Sequence, residues 1–205
     1  MIALVNYGSG NIQAIGNIYG RLHIPFKIAS KPSDLDDAER IVLPGVGHFD
    51  QAMDALNHSG MRDALDAAVM VQKKPLIGIC VGMQLLAKSS EEGVLPGLGW
   101  VDGVVKRFVP GDRPTPMRLP HMGWNDVRPV KESPLFRDVD LGNGYYFLHS
   151  FYFVCNRSED MLAETSYGAD FSCAVSSGNV YGVQFHPEKS HSAGIQLLKN
   201  FAELT

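Results

Sequence analysis

The stretch Leu76-Ile77-Gly78-Ile79-Cys80-Val81-Gly82-Met83-Gln84 is a short apolar run, a Gly-x-Cys-x-Gly turn and the opening of a helical pattern. Strand, tight turn and helix with a nucleophile at the apex make the nucleophile-elbow layout, with cysteine where serine usually stands. Bulky residues at 78 and 82 would collide with neighbouring backbone in such a turn, and the apex residue is held in a strained conformation. At a helix start the Cys80 thiol is expected to feel the positive end of the helix dipole, which favours thiolate. The Val81 N–H lies next to the sulfur, where it would donate to an oxyanion. A free cysteine is more commonly a small buried hydrophobe, but a structural cysteine has no need of two flanking glycines. Cys155 and Cys173 lie in strand-like runs without such glycines and read as core.

Upstream of the elbow, short apolar runs alternate with helical spacings. Ile2–Val5, Phe26–Ile28 and Arg40–Leu43 read as strands, and Ile12–Leu22, Asp50–Leu56 and Met61–Val71 as helices. Leu76–Ile79 is a further strand, and Met83–Ala87 opens another helix. Strands that alternate with helices predict a parallel sheet covered on both faces. Downstream the pattern changes. Trp100–Val109, Asn125–Val130, Tyr145–Val154, Met161–Ser166, Phe171–Ser176 and Val180–Gln184 all read as strands, with turns at Pro110-Gly111-Asp112 and Leu141-Gly142-Asn143-Gly144. A closing helix over Ser192–Leu204 carries Ile195, Leu198, Phe201 and Ala202 as its buried stripe. The expected fold is α/β: a mixed, mostly parallel central sheet flanked by helices, with antiparallel strands added after the parallel ones. The expected organisation is a single domain over residues 1–205.

The stretch Val180–Glu188 places His186-Pro187-Glu188 directly after an apolar strand, where catalytic residues of open α/β sheets sit. Pro187 pushes His186 toward extended geometry, and residues two apart on an extended chain face the same way. His186 and Glu188 are therefore expected to project together, carboxylate on one imidazole nitrogen and the other free for a thiol, which is the base-plus-orienter logic of a triad. His-Pro-Glu alone is weak evidence, because a surface turn could hold it. His23, His48, His58 and His191 lie in exposed patterns and are assigned no chemistry.

A net charge of -4 leaves no electrostatic footprint for nucleic acid or an anionic membrane. The chain's N-terminal residues lack the basic region and long apolar core of a secretory signal, and no run approaches the roughly 20 apolar residues of a spanning helix. Three cysteines make no disulfide framework, and no Cys-x-x-Cys suggests a zinc site. A cytoplasmic protein without metal or cofactor is expected.

Taken together, Gly78–Gln84 and Gly182–Glu188 resemble the class I, triad-type glutamine amidotransferases. Four further stretches are similar to the glutaminase subunits of imidazole glycerol phosphate synthases within that family. They are Tyr7-Gly8-Ser9-Gly10-Asn11, Leu43-Pro44-Gly45-Val46-Gly47, Pro120-His121-Met122-Gly123-Trp124-Asn125 and Tyr146-Phe147-Leu148-His149-Ser150. The resemblance implies a flavodoxin-like fold and a triad of Cys80, His186 and Glu188 acting on L-glutamine. It implies an oxyanion hole from the Val81 N–H and an N–H of Gly45, Val46 or Gly47, on a strand whose peptide can need a partner-promoted rearrangement. Gly47, Gln84 and the backbone of His149, Ser150 and Phe151 would hold the glutamine; Asn11, His121, Trp124 and Lys189 would lie toward a partner, a cyclase subunit with a (β/α)8 barrel that receives ammonia through a tunnel. One departure is Phe151, where the family usually has tyrosine. Gly8-Ser9-Gly10-Asn11 could instead cradle a phosphate, although Gln13 stands where a dinucleotide fingerprint has its third glycine. Two other functions stay open: the same chemistry feeding sugar amidination in surface-polysaccharide synthesis, with Phe151 and Ser89-Ser90-Glu91-Glu92 as the unusual features, and a non-catalytic binding module, against which the intact triad argues.

Overall fold

The computed structural model describes residues 1–109 and 118–204; the turn expected at Pro110-Gly111-Asp112 lies outside them. The first half builds β1 (Ile2–Val5), α1 (Ile12–Arg21), β2 (Phe26–Ala29), β3 (Arg40–Gly45), α2 (Phe49–His58), α3 (Arg62–Asp66), β4 (Leu76–Cys80) and α4 (Val81–Gln84). The second half builds β5 (Ser89–Ser90), β6 (Gly103–Arg107), β7 (His121–Asn125), β8 (Arg128–Pro129), β9 (Tyr145–His149), β10 (Phe151–Cys155), β11 (Met161–Tyr167), β12 (Ala169–Ser177), β13 (Val180–Val183) and α5 (His191–Ala202).

The main sheet runs β2-β1-β3-β4-β13-β12-β10-β6-β5, with β11 on β12 and β8 on β11. From β2 to β13 every pairing is parallel, and β13–β12, β12–β10 and β10–β6 are antiparallel. This is the expected mostly parallel sheet with antiparallel strands added. Strands β1, β3 and β4 are buried on both faces, as their unbroken apolar runs demand. The chain order reverses between β1 and β3, so the crevice beyond the carboxyl ends of β1, β3, β4 and β13 is the natural place for a site.

Several expected elements differ; the helix expected to open over Met83–Ala87 is the single turn Val81–Gln84. Tyr145–Val154 is not one strand: it breaks at Ser150, β9 pairing with β7 in a separate two-stranded sheet while β10 enters the main one. Asn125–Val130 pairs only at β8, and the strand lies earlier, over His121–Asn125. The strand expected over Trp100–Val109 forms only over Gly103–Arg107; Trp100 lies before it, buried, with its indole donating to Asp66 Oδ1 at 2.9 Å. Helix α3 ends at Asp66 and continues as a π-helical turn over Ala67–Val71. In the closing helix Leu197, Leu198 and Phe201 are buried, while Ile195 and Ala202 are only half-buried.

Candidate functional site

Three strand ends converge on Cys80. Parallel pairing sets Gly45 of β3 beside Cys80 of β4, and Val183 of β13 beside Ile79. The elbow closes because its glycines have no side chains: a Cβ on Gly82 would stand 1.9 Å from the Leu43 carbonyl oxygen, and one on Gly78 would stand 2.5 Å from the Gly82 oxygen. Cys80 itself has φ 55° and ψ -114°, a conformation that costs on the order of 1–3 kcal/mol and persists only where the surroundings enforce it. The expected dipole contribution shrinks, since α4 is one turn, Val81–Gln84; what remains is local, in the unpaired N–H groups of that turn.

His186 follows β13 and is fixed through its backbone, its N–H donating to the Tyr146 oxygen at 2.8 Å and its carbonyl accepting from the Ser190 hydroxyl at 2.6 Å. Its Nδ1 lies 2.9 Å from Glu188 Oε1, both side chains almost wholly buried. The two groups meet as expected but by a different route: Pro187–Lys189 is a 3₁₀ turn rather than an extended run, and the turn brings the carboxylate back to the ring nitrogen. Burial pulls the imidazole pKa down, yet bonding to Cys80 and Glu188 and the charges of both outweigh it and raise it to about 10. A thiol, an imidazole and a carboxylate thus stand in line.

Cys80 and His186 open onto a cavity of about 150 Å³ that is also lined by Val46, Gly47, Gln84, Glu92, Phe151 and Lys189, among others. Its outer wall is the Leu148–Phe151 backbone around the break at Ser150. Gln84 spends both amide N–H groups inward, on the Phe151 carbonyl at 3.1 Å and Gln184 Oε1 at 2.9 Å; Gln184 in turn points its amide at Cys80 Sγ, 3.8 Å away. The Val46 N–H does not face the pocket. It donates to Ser9 Oγ at 2.9 Å, and the same hydroxyl donates to the Val46 carbonyl at 3.0 Å. Gly47 has φ +90°, open to glycine and strained for other residues.

Sequence reasoning passed over Glu92, which it saw only as part of an unusual Ser89–Glu92 stretch. That stretch builds the pocket rim. Ser89–Ser90 pairs with Val104–Val105, Glu91 Oε2 accepts the Arg107 N–H at 2.8 Å, and Glu92 accepts the Phe49 N–H at 2.9 Å with His48 Nδ1 3.1 Å from its other oxygen. Gln184 was missed as well; a glutamine at the end of an apolar strand was its only signal. Cys155 and Cys173 behave as core, burial pushing the Cys155 thiol up to about 11 and that of Cys173 higher still.

Around the mouth, β7 and β9 turn Met122, Trp124 and Leu148 outward, and Val46 is exposed beside them. Trp124 stacks on His191 at 5.0 Å, and Lys189 Nζ lies 5.4 Å from the centre of the Tyr146 ring. Asn11 is half-buried at the start of α1. His121, expected to lie toward a partner, turns the other way: it is 3% exposed and packed between the Phe147 and Tyr167 rings, because alternate residues of β7 face opposite sides.

Residues 3–204 match the family model described as glutamine amidotransferase class-I. The chain is 56% identical to the imidazole glycerol phosphate synthase subunit HisH of Bdellovibrio bacteriovorus, with 100% of each chain covered. It is 44% identical to the subunit of the same name from Leptospira borgpetersenii, again over 100% of each. A solved crystal structure of a glutamine amidotransferase superposes with a TM-score of 0.71 at 21% identity, covering 100% of both chains; at that identity it speaks for the fold alone.

Proposed function

This chain belongs to the class-I glutamine amidotransferases, and from that premise we propose that it is the glutaminase subunit of an imidazole glycerol phosphate synthase, releasing ammonia from L-glutamine for a cyclase partner in histidine biosynthesis. The observation that carries the chemistry is the strained Cys80 facing a His186 already bonded to Glu188. Cys80 Sγ attacks the carboxamide carbon of glutamine; the thiol proton, held on His186, passes to the departing nitrogen, and the C–N bond breaks to leave ammonia and a glutamyl thioester. Water then attacks the thioester with His186 as base, glutamate leaves, and the thiol is restored. Glu188 keeps the ring in the required tautomer and balances its charge.

Glutamine fits the pocket by its charges as well as its amide. Glu92 is a carboxylate on the rim, suited to the substrate ammonium group, and the acceptor oxygen of Gln84 is the one atom its inward bonds leave free for a substrate N–H. Backbone of His149, Ser150 and Phe151, with Gly47 opposite, suits the carboxylate end. Phe151 is then no obstacle, since its part there is a backbone one and needs no side-chain hydroxyl. Glu92→Gln is expected to raise KM for glutamine about tenfold, one lost charge-assisted contact, with little change in kcat; an unchanged KM in steady-state assays would remove Glu92 from the substrate site.

The oxyanion hole takes the Val81 N–H and a second N–H from Gly45–Gly47 after a peptide rotation. The exposed Met122, Trp124 and Leu148, with Val46, Lys189 and Asn11 beside them, form the face we assign to the cyclase, a (β/α)8 barrel that receives the ammonia by a tunnel. We read residues 1–205 as one amidotransferase domain, supported by the match over 3–204, and histidine biosynthesis puts the pair in the cytoplasm. Among the described residues no helix is long and apolar enough to cross a membrane. Supply of ammonia for sugar amidination is not favoured, given relatives that carry the histidine-pathway name at 56% and 44% identity. Reconstitution decides: mixed with a cyclase subunit and its nucleotide substrate, the chain is expected to support glutamine-fed formation of imidazole glycerol phosphate, and no product above the cyclase-alone rate would refute the assignment.

A further inference from the structure

One buried histidine in the pocket wall, His149, and one behind it, His121, carry protons the reaction does not use. His149 Nδ1 is 2.7 Å from the Phe151 carbonyl, and His149 Nε2 is 2.9 Å from His121 Nδ1. His121 Nε2 is 3.3 Å from Asn125 Nδ2. We propose that Asn125, His121 and His149 form a one-directional hydrogen-bond relay that fixes the Phe151 carbonyl in the wall of the glutamine pocket and registers that wall to strand β7. His121 and Asn125 act here as positioning residues. The inference rests on the glutaminase reading, which makes this cavity the glutamine pocket.

The direction of the relay follows from either end. A carbonyl only accepts, so His149 carries its proton on Nδ1; a neutral ring then leaves Nε2 bare, and His121 must supply a proton from its own Nδ1. His121 Nε2 is therefore an acceptor and requires a donor. From the other end, Asn125 Oδ1 accepts the Asp126 N–H at 2.9 Å and Nδ2 donates to the Ser166 carbonyl at 2.9 Å, so its amide is oriented with the NH₂ toward His121. Both deductions meet at the same pair of tautomers. Burial keeps both rings neutral, with His121 down at about 4 and His149 at about 3. The Phe151 carbonyl that ends the relay is also the acceptor for Gln84. At its other end, the same strand that turns His121 and Asn125 inward shows Met122 and Trp124 outward. One strand thus carries the docking side chains on one face and the relay on the other.

The test has two arms. In the wild-type complex at neutral pH, ¹⁵N NMR of the imidazoles is expected to show both His121 and His149 neutral and protonated on Nδ1; an Nε2–H tautomer or an imidazolium at either position overturns the relay. In the kinetic arm, His121→Phe keeps an aromatic ring between Phe147 and Tyr167 and removes the donor, leaving a buried acceptor unpaired. It is expected to raise KM for glutamine roughly tenfold with kcat within about threefold, and His121→Gln, whose amide restores a donor, to bring KM back to within about threefold of wild type. Equal KM values for His121→Phe and wild type overturn the proposal, as does equal damage from both variants. If His121→Phe does not fold, the wild-type spectrum alone decides. Failure of the wild-type complex to consume glutamine refutes the glutaminase reading instead, and the tautomers still judge the relay.

Discussion

Cys80→Ala is expected to cut glutamine-dependent turnover of the reconstituted complex by roughly 10⁴-fold or more, while turnover fed with ammonia persists. The sulfur forms the bond that replaces C–N, and nothing else in the pocket takes its place: Glu92 and Gln84 are poorer nucleophiles, and Cys155 and Cys173 lie elsewhere in the fold, held as neutral thiols by burial. The substitution removes a single sulfur atom, whose contacts include His186, the Leu148 carbonyl at 3.9 Å and Gln184 Nε2 at 3.8 Å. Alanine suffers the same strained φ as cysteine, so the elbow should survive and the thermal midpoint should move little. The two assays separate the roles cleanly, since ammonia bypasses this chain and enters at the cyclase. Loss of both turnovers would mean that Cys80 supports the assembly rather than the chemistry, and retention of both would strip it of any role as nucleophile.

Much of this site was legible because its chemistry is enforced by backbone constraints that leave glycines behind. Gly78, Gly82 and Gly45 each stand where a Cβ would meet backbone at 2.5 Å or closer, so a local pattern in the sequence reports a three-dimensional crowding. The parallel half of the sheet was equally readable, since strands buried on both faces are unbroken apolar runs. The reading failed where tertiary pairing overrides local pattern. Nothing in Tyr145–Val154 marks Ser150 as the point where the chain leaves one sheet for another, and that break exposes the backbone lining the pocket. The inward turn of His121 depends on which side of β7 faces the core, which a five-residue stretch with glycine at its centre does not declare. Glu92 was illegible for a related reason: it bonds to His48, 44 residues away, and its neighbour Glu91 to Arg107, 16 residues away, and only the folded rim brings it to the cavity.

For the isolated chain, glutaminase turnover is expected to be lower by about 10²–10³ than in the complex with cyclase and its nucleotide ligand. That is the cost of one missing oxyanion donor. In the proposed oxyanion hole the missing donor is an N–H of the Gly45–Gly47 segment. The Val46 N–H is spent on Ser9 Oγ, and the Val46 carbonyl is held by the same hydroxyl, so both ends of the residue are clamped by one side chain. Tyr7, two residues earlier, holds the preceding Pro44 carbonyl at 2.8 Å. A rotation that aims an N–H of this strand at the Cys80 pocket must therefore break bonds to the Tyr7–Asn11 loop, each worth on the order of 1 kcal/mol net. The strand faces the mouth where Val46, Trp124 and Met122 are exposed, so a docked partner is positioned to offset that cost. Ser9→Ala removes the clamp without a partner. It is expected to raise the isolated chain's kcat about tenfold and to narrow the stimulation by cyclase by the same factor, because the two act on one equilibrium and their effects do not add. Full activity in the isolated wild-type chain would contradict the gate altogether. A Ser9→Ala chain as idle as wild type, with stimulation undiminished, would keep the gate but move its latch away from Ser9.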